Sequence, residues 1–269
     1  MVDSAKNGNF AAMNIKKHIP NAITCGNLLC GCLAIVSALN GDLVWSAFLV
    51  GLAAILDFFD GFVARLLKVG GELGKQLDSL ADMVTFGVVP GMIMFQMLSP
   101  EATFTFNDST LMIERPEYLQ YLGFLITTFS AMRLAKFNID TRQSNSFIGV
   151  PTPANSILIC SLPLIQHFQP VVLGVNTFMA INNTWFLVIL TLLMSYLLVA
   201  ELPLFALKFK NFGWADNKIR YSFLIISVIL LILFQFIAIP FIIFLYISFS
   251  VVNNATAGKD KEATAINNH

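Results

Sequence analysis

Charge is the scarcest property of this sequence: Asp, Glu, Lys and Arg make up 12% of its 269 residues, against about 25% in a typical soluble domain. With 16 basic and 16 acidic residues, no cationic excess suggests a nucleic-acid partner. Cysteine is sparse as well. Cys25, Cys30, Cys32 and Cys160 all fall in apolar segments, with neither metal-ligand spacing nor a disulfide framework. The first 19 residues carry Lys6, Lys16 and Lys17 but no compact apolar run ending in a small-residue cleavage site, so a signal peptide is not expected there. The short alternating strands of a membrane barrel are missing too.

What the chain has in plenty is apolar side chain: 57% of residues are hydrophobic and Phe alone occurs 25 times. A soluble fold of this size could not hide that much behind so few polar residues, so an all-α polytopic membrane protein is expected. A crossing needs about 20 apolar residues. Eight spans are expected, near 21–39, 44–66, 77–99, 119–138, 154–175, 184–202, 221–236 and 238–252. The last two share one long apolar run, 219–252, with Pro240 near its middle, which reads as a transmembrane hairpin. Residues 1–19 are expected to form a surface helix, Pro20 to Thr24 an entry turn with Asn21 as N-cap, and 253–269 a disordered tail.

Basic residues set the orientation. Fifteen of the sixteen fall on one side of these spans, and only Arg115 falls on the other, in a loop with Glu101, Asp108, Glu114 and Glu117. The positive-inside rule then places both termini and the 65–75 turn in the cytoplasm, in the cell (inner) membrane.

Against this background four carboxylates stand out. Asp57 and Asp60 close the second span, three apart; Asp78 and Asp82 open the third, four apart. Each pair shares one helix face, with Cβ atoms about 5–6 Å apart, and the short turn between the helices makes them antiparallel neighbours. Each carboxylate left alone in the membrane costs about 2.5–3.5 kcal/mol, and four together repel. Divalent cations answer both problems, and a pair of them suits phosphoryl or pyrophosphate chemistry. Oxygen donors fit Mg²⁺ and Mn²⁺ alike. Gly61, Ala64 and Gly74 remove side-chain volume beside the acids, and Arg65 offers a fork to phosphate oxygens. A transporter's cation path and solvated helix ends are the competing readings of the same acids.

The full pattern, Asp57-x2-Asp60-Gly61-x2-Ala64-Arg65-x8-Gly74-x3-Asp78-x3-Asp82, resembles the signature of the CDP-alcohol phosphatidyltransferase family, with each fixed position filled. That resemblance implies a six-helix catalytic membrane domain over 20–210, usually a homodimer, with the 219–252 hairpin as an addition. It implies Asp57, Asp60, Asp78 and Asp82 as metal ligands, Asp82 also as general base, and Gly61, Ala64, Arg65 and Gly74 as binding positions for the CDP moiety.

Further segments resemble the family's bacterial and archaeal phosphatidylserine synthase subgroup: Pro20, Asn21, Ile23 and Thr24 with Asn27 to Gly31, and Arg133 to Asn138 with Phe147 to Pro153. Lys136 stands where that subgroup more usually has Arg, keeping charge but losing the bidentate fork. The subgroup implies CDP-diacylglycerol and L-serine as substrates, with Arg133, Lys136, Asn138 and Arg142 as candidate serine-site residues. Electrostatics alone leaves glycerol 3-phosphate and an inositol compound open as acceptors.

Overall fold

The computed structural model describes residues 2–106, 109–140, 146–205 and 218–251. Arg142 and the tail 253–269 lie outside the described residues. The chain is mostly helical, and its apolar helices make it an integral membrane protein. Helices are what a spanning backbone requires, because each N–H and C=O must find its partner within the segment.

Helix α1 (Val2–Leu39) runs unbroken through Pro20, so the expected entry turn and Asn21 N-cap do not exist. Asn21 instead sits on the flank of a helix. One turn on, the Thr24 hydroxyl lies 3.1 Å from Pro20 O. A tight turn at Gly41 (φ 82°) leads to α2 (Leu43–Leu66), capped by the Asp42 carboxylate accepting from Trp45 N at 2.9 Å.

Helix α2 is apolar outside and small inside. Trp45, Phe48, Leu52, Ile55 and Phe62 are exposed, while Ser46, Ala47, Val50 and Ala53 are buried at helical spacing. Continued by two turns, that inward stripe reaches Asp57 and Asp60.

The turn 67–71 leads to α3 (Glu72–Asp82), a π-helical stretch (Met83–Val88) and α4 (Val89–Met97). The π geometry has a local cause. Pro90 lacks an N–H, and Val89 N bonds back to Val84 O, five residues earlier.

Next comes a ribbon that the spans did not foresee, β1 (Glu101–Phe106) paired antiparallel with β2 (Ser109–Glu114). A 3₁₀ turn (Glu117–Leu122) opens α5 (Gly123–Ile139). Helices α4 and α5 approach so closely at Gly91 and Gly123 that a Cβ on Gly123 would lie 2.7 Å from Gly91 O. Close backbones of this kind are how helices pack tightly where lipid is as apolar as the interface.

Strand β3 (Ser146–Ile148) leads to α6 (Thr152–Phe168), which ends at Phe168 rather than near 175, just before Pro170. A short α7 (Thr177–Ile181) and α8 (Thr184–Val199) follow, and β4 (Pro203–Phe205) pairs back on β3.

Among the described residues, four stretches are long and apolar enough to cross a membrane by length and composition: His18–Leu39, Leu43–Leu66, Glu72–Met97 and Tyr221–Val251. The last is folded in two. Helix α9 (Lys218–Phe234) meets a 3₁₀ turn (Gln235–Ile237), with Gln235 at φ 49°, and α10 (238–251) returns. The Phe223 and Tyr246 rings lie 5.8 Å apart, whereas a straight helix would separate them by about 34 Å. Pro240 is not the reversal; it sits in the first turn of α10, where a missing N–H costs least. Gln169 clamps the reversal, donating to Phe234 O at 2.9 Å and accepting from Ile237 N at 3.0 Å.

At that same end of the bundle Arg115 is buried. Its guanidinium donates to Met97 O (2.9 Å), Ser99 O (3.4 Å), Asn182 O (2.7 Å) and Thr184 Oγ1 (3.0 Å). It thereby caps the exposed carbonyls at the end of α4 and ties them to the start of α8. Burial lowers its pKa from the usual arginine value. Arg115→Met should strand these acceptors and cost about 3 kcal/mol or more. Thermal unfolding in detergent micelles checks this, and a variant as stable as the parent would remove the staple.

Candidate active site

The acidic cluster forms where three helices meet. Asp57 and Asp60 come from the last turns of α2, Asp78 from the second half of α3 and Asp82 from its final residue, and α1 closes the third side. Carboxylate oxygens of Asp57, Asp60 and Asp78 all lie within 4.8 Å of one another. Asp82 stands outside that triad but within hydrogen-bonding contact of Asp57. Asp60 is buried and accepts a 2.6 Å hydrogen bond from the Thr24 hydroxyl. Asn27 Nδ2 reaches Asp82 Oδ1 at 3.5 Å, and Thr85 Oγ1 donates to Asn27 O at 3.3 Å. An all-oxygen donor set of three converging carboxylates, one steadied by a hydroxyl, fits a hard divalent cation.

A cleft of about 470 Å³ opens beside the triad. Asp60 and Asp78 line it, as do Gly61, Ala64 and Gly74, together with Asn21 and Thr24 of α1 and the backbone-rich turn at Gly70 and Gly71. A Cβ at position 74 would lie 3.1 Å from Asn21 Oδ1 and press on that side chain, whereas a Cβ on Gly61 would meet little but the Arg65 guanidinium at 4.0 Å. Arg65 itself is exposed and folds back over Gly61 from the rim. Lys75, which the sequence pattern did not single out, lines the cleft and also lies 3.5 Å from Asn138 O.

The second group of candidate residues divides. Arg133 is buried, donates to Thr152 Oγ1 at 3.4 Å and stacks 5.8 Å from the Phe137 ring centroid. Asp82 and Tyr246 are the groups near enough to act on it electrostatically. Lys136, one turn on, is exposed. Asn138 is tied to α3, exchanging hydrogen bonds with Ser79 at 3.0 and 3.3 Å. The cluster is therefore two-sided: Asp60 and Asp78 look onto the cleft, whereas Asp82 looks towards Asn27 and Arg133.

Residues 17–181, more than half of the chain, match the family model for CDP-alcohol phosphatidyltransferase. The chain belongs to the CDP-alcohol phosphatidyltransferase family. The family uses divalent cations, in keeping with the converging aspartates.

Among its relatives is the CDP-diacylglycerol–serine O-phosphatidyltransferase of Bacillus subtilis (strain 168), 35% identical over 164 residues, 60% of this chain and 82% of that protein. The enzyme of the same name from Helicobacter pylori (strain J99 / ATCC 700824) is 34% identical over 55% of this chain and 58% of its own length. The archaetidylserine synthase of Methanothermobacter thermautotrophicus is 30% identical over 56% of this chain and 60% of its own length. The matched region thus spans most of the Bacillus relative and under two thirds of the other two.

The triad makes a direct prediction. Asp57→Asn, Asp60→Asn and Asp78→Asn should each weaken Mn²⁺ binding by about tenfold or more. Electron paramagnetic resonance titration of the purified protein reads this without turnover. Unchanged affinity in all three would dissociate the cluster from any ion.

Proposed function

We propose that this chain transfers the phosphatidyl group of CDP-diacylglycerol to the hydroxyl of L-serine, giving phosphatidylserine and CMP. The observation that carries the reading is the two-sided cluster. Two carboxylates of the triad line a glycine-walled cleft of nucleotide size, and a further carboxylate faces a buried arginine. The names of the relatives support serine as the acceptor.

In this reading the CDP head enters the cleft between α1, α2 and the 67–71 turn. Gly61, Ala64 and Gly74 make room for it, and Arg65 and Lys75 approach its phosphates from the rim. Asp57, Asp60 and Asp78 would hold divalent cations, Mg²⁺ or Mn²⁺ and two in number, with Asp82 completing the set. When bound, such ions supply the positive charge that stabilises the diphosphate and the departing CMP.

Asp82 accepts the hydroxyl proton of serine as its oxygen attacks the β-phosphorus. The new P–O bond forms while the bond to the CMP oxygen breaks. No covalent enzyme intermediate is required. Holding both substrates on either side of one cluster supplies much of the rate. Arg133 holds the carboxylate of serine, and Lys136, Asn138 and Arg142 belong to the candidate rim of that site.

The fifteen basic residues on one side favour cytoplasmic termini and a cytoplasmic cluster in the cell (inner) membrane. Eight crossings, a catalytic domain over 20–210, an added hairpin over 219–252 and assembly as a homodimer complete the proposal.

Purified protein offered CDP-diacylglycerol with L-serine, glycerol 3-phosphate or inositol separately should release CMP with serine only. Release solely with a phosphorylated acceptor would overturn the choice, and no release with any would overturn the enzyme class. Chelation of divalent ions should abolish turnover, with Mg²⁺ or Mn²⁺ restoring it. Asp82→Asn should lower kcat by about a thousandfold or more while CDP-lipid binding persists. Arg65→Ala should raise the KM for CDP-diacylglycerol by about tenfold with little change for serine.

A further inference from the structure

The face of the cluster opposite the cleft holds buried polar atoms that the account above leaves unused. Asn155 is fully buried in α6, and neither its side-chain oxygen nor its nitrogen has a partner. It lies one turn beyond Thr152, the residue that Arg133 contacts. On α5, Ser130 lies one turn inward from Arg133, and its buried hydroxyl is also unpartnered. The Nε of Arg133 is a third orphan. Buried polar groups are nearly always paired, so three orphans within one turn of a single contact call for a common explanation.

A fourth element reaches the same place. The reversal at Gln235–Ile237 brings α10 back along the bundle, where Ile243 and Ile247 pack into the core. Tyr246, between them, is the hairpin's group that acts electrostatically on Arg133, and its ring is steadied by Phe223. The family model ends at residue 181, so this contribution comes from outside the matched region.

We propose that Arg133, Asn155 and Tyr246 form the recognition site for the acceptor's carboxylate, and that the C-terminal hairpin thereby supplies one wall of the active site. The guanidinium offers charge and a free N–H, the Asn155 amide offers two more donors, and the Tyr246 hydroxyl closes the site from the hairpin side. Asp82 lies on the same side of the cluster, within electrostatic reach of Arg133. A serine anchored by its carboxylate would therefore present its hydroxyl towards the proposed base. A carboxylate would satisfy the orphaned donors that otherwise stay unpaired in an apolar surround. This deepens the proposed reaction and rests on it.

The test compares L-serine with L-serine amide, which keeps the hydroxyl and loses the carboxylate, using the full chain in detergent micelles with CDP-diacylglycerol and Mn²⁺. The parent should prefer serine by about a hundredfold in kcat/KM. Asn155→Leu should raise the KM for serine by about tenfold or more, and Tyr246→Phe by about threefold to tenfold. Both should shrink the preference over the amide while leaving CDP-diacylglycerol binding within about twofold of the parent. Tyr246→Phe keeps the ring against Phe223, so it reports even where Asn155→Leu does not fold. A serine KM unchanged in Tyr246→Phe, or raised in step with that for CDP-diacylglycerol, would overturn the inference while the serine reaction stands. Should the parent ignore serine and use glycerol 3-phosphate, the proposed reaction falls. The carboxylate site falls with it, because that acceptor has no carboxylate to hold.

Discussion

Four carboxylates inside an apolar bundle are the constraint around which this molecule is arranged. Lipid and packed aliphatic side chains offer them nothing, so the surrounding helices must supply donors, space and a place for counter-charge. The inward stripe of small residues on α2 ends in Asp57 and Asp60, Thr24 of α1 spends its hydroxyl on Asp60, and Asn27 turns its amide to Asp82. The carboxylates converge because two antiparallel helices joined by a five-residue turn have no other way to direct them.

The division of the cluster into two faces is the consequence that matters for chemistry. The open face has little side-chain bulk, since glycines and an alanine line it beside Asp60 and Asp78. The closed face is polar and buried, with Arg133 held inside the bundle on α5. One face suits a nucleotide arriving from the aqueous side, and the other a small polar molecule that must be held still. In the proposed reaction the nucleotide and the acceptor would approach from these two different faces of the cluster.

The far end of the bundle obeys the same rule with neutral groups. Arg115 takes up the carbonyls left at the end of α4, and Gln169 pairs one carbonyl and one N–H at the fold of the hairpin. Irregular backbone at a helix end is tolerated because a side chain from another helix satisfies it. Both devices join segments far apart in the chain, so they hold the ends of the bundle together while the acidic end stays open.

Apolar runs and the spacing of the aspartates were legible in the amino-acid order, because helix formation in lipid and the i, i+3 and i, i+4 geometry are local rules. The all-α class, the inward acids and the family signature follow from them. Asn21 was misread, since proline inside a helix and proline before one look alike in sequence. The reversal of the last apolar run fell at Gln235, ahead of Pro240, because Gln169 stabilises it from another helix. Thr24 and Asn27 were legible as part of a resemblance but not as partners of the aspartates, and Asn155 and Tyr246 gave no signal, each being a single polar residue in an oily stretch. Composition and spacing alone thus determined that this chain is a helical membrane protein carrying a paired-carboxylate signature. Which carboxylates face the cleft, which face Arg133, and what the final hairpin brings beside them were decided only by helix packing, since contacts between distant segments leave no periodic trace.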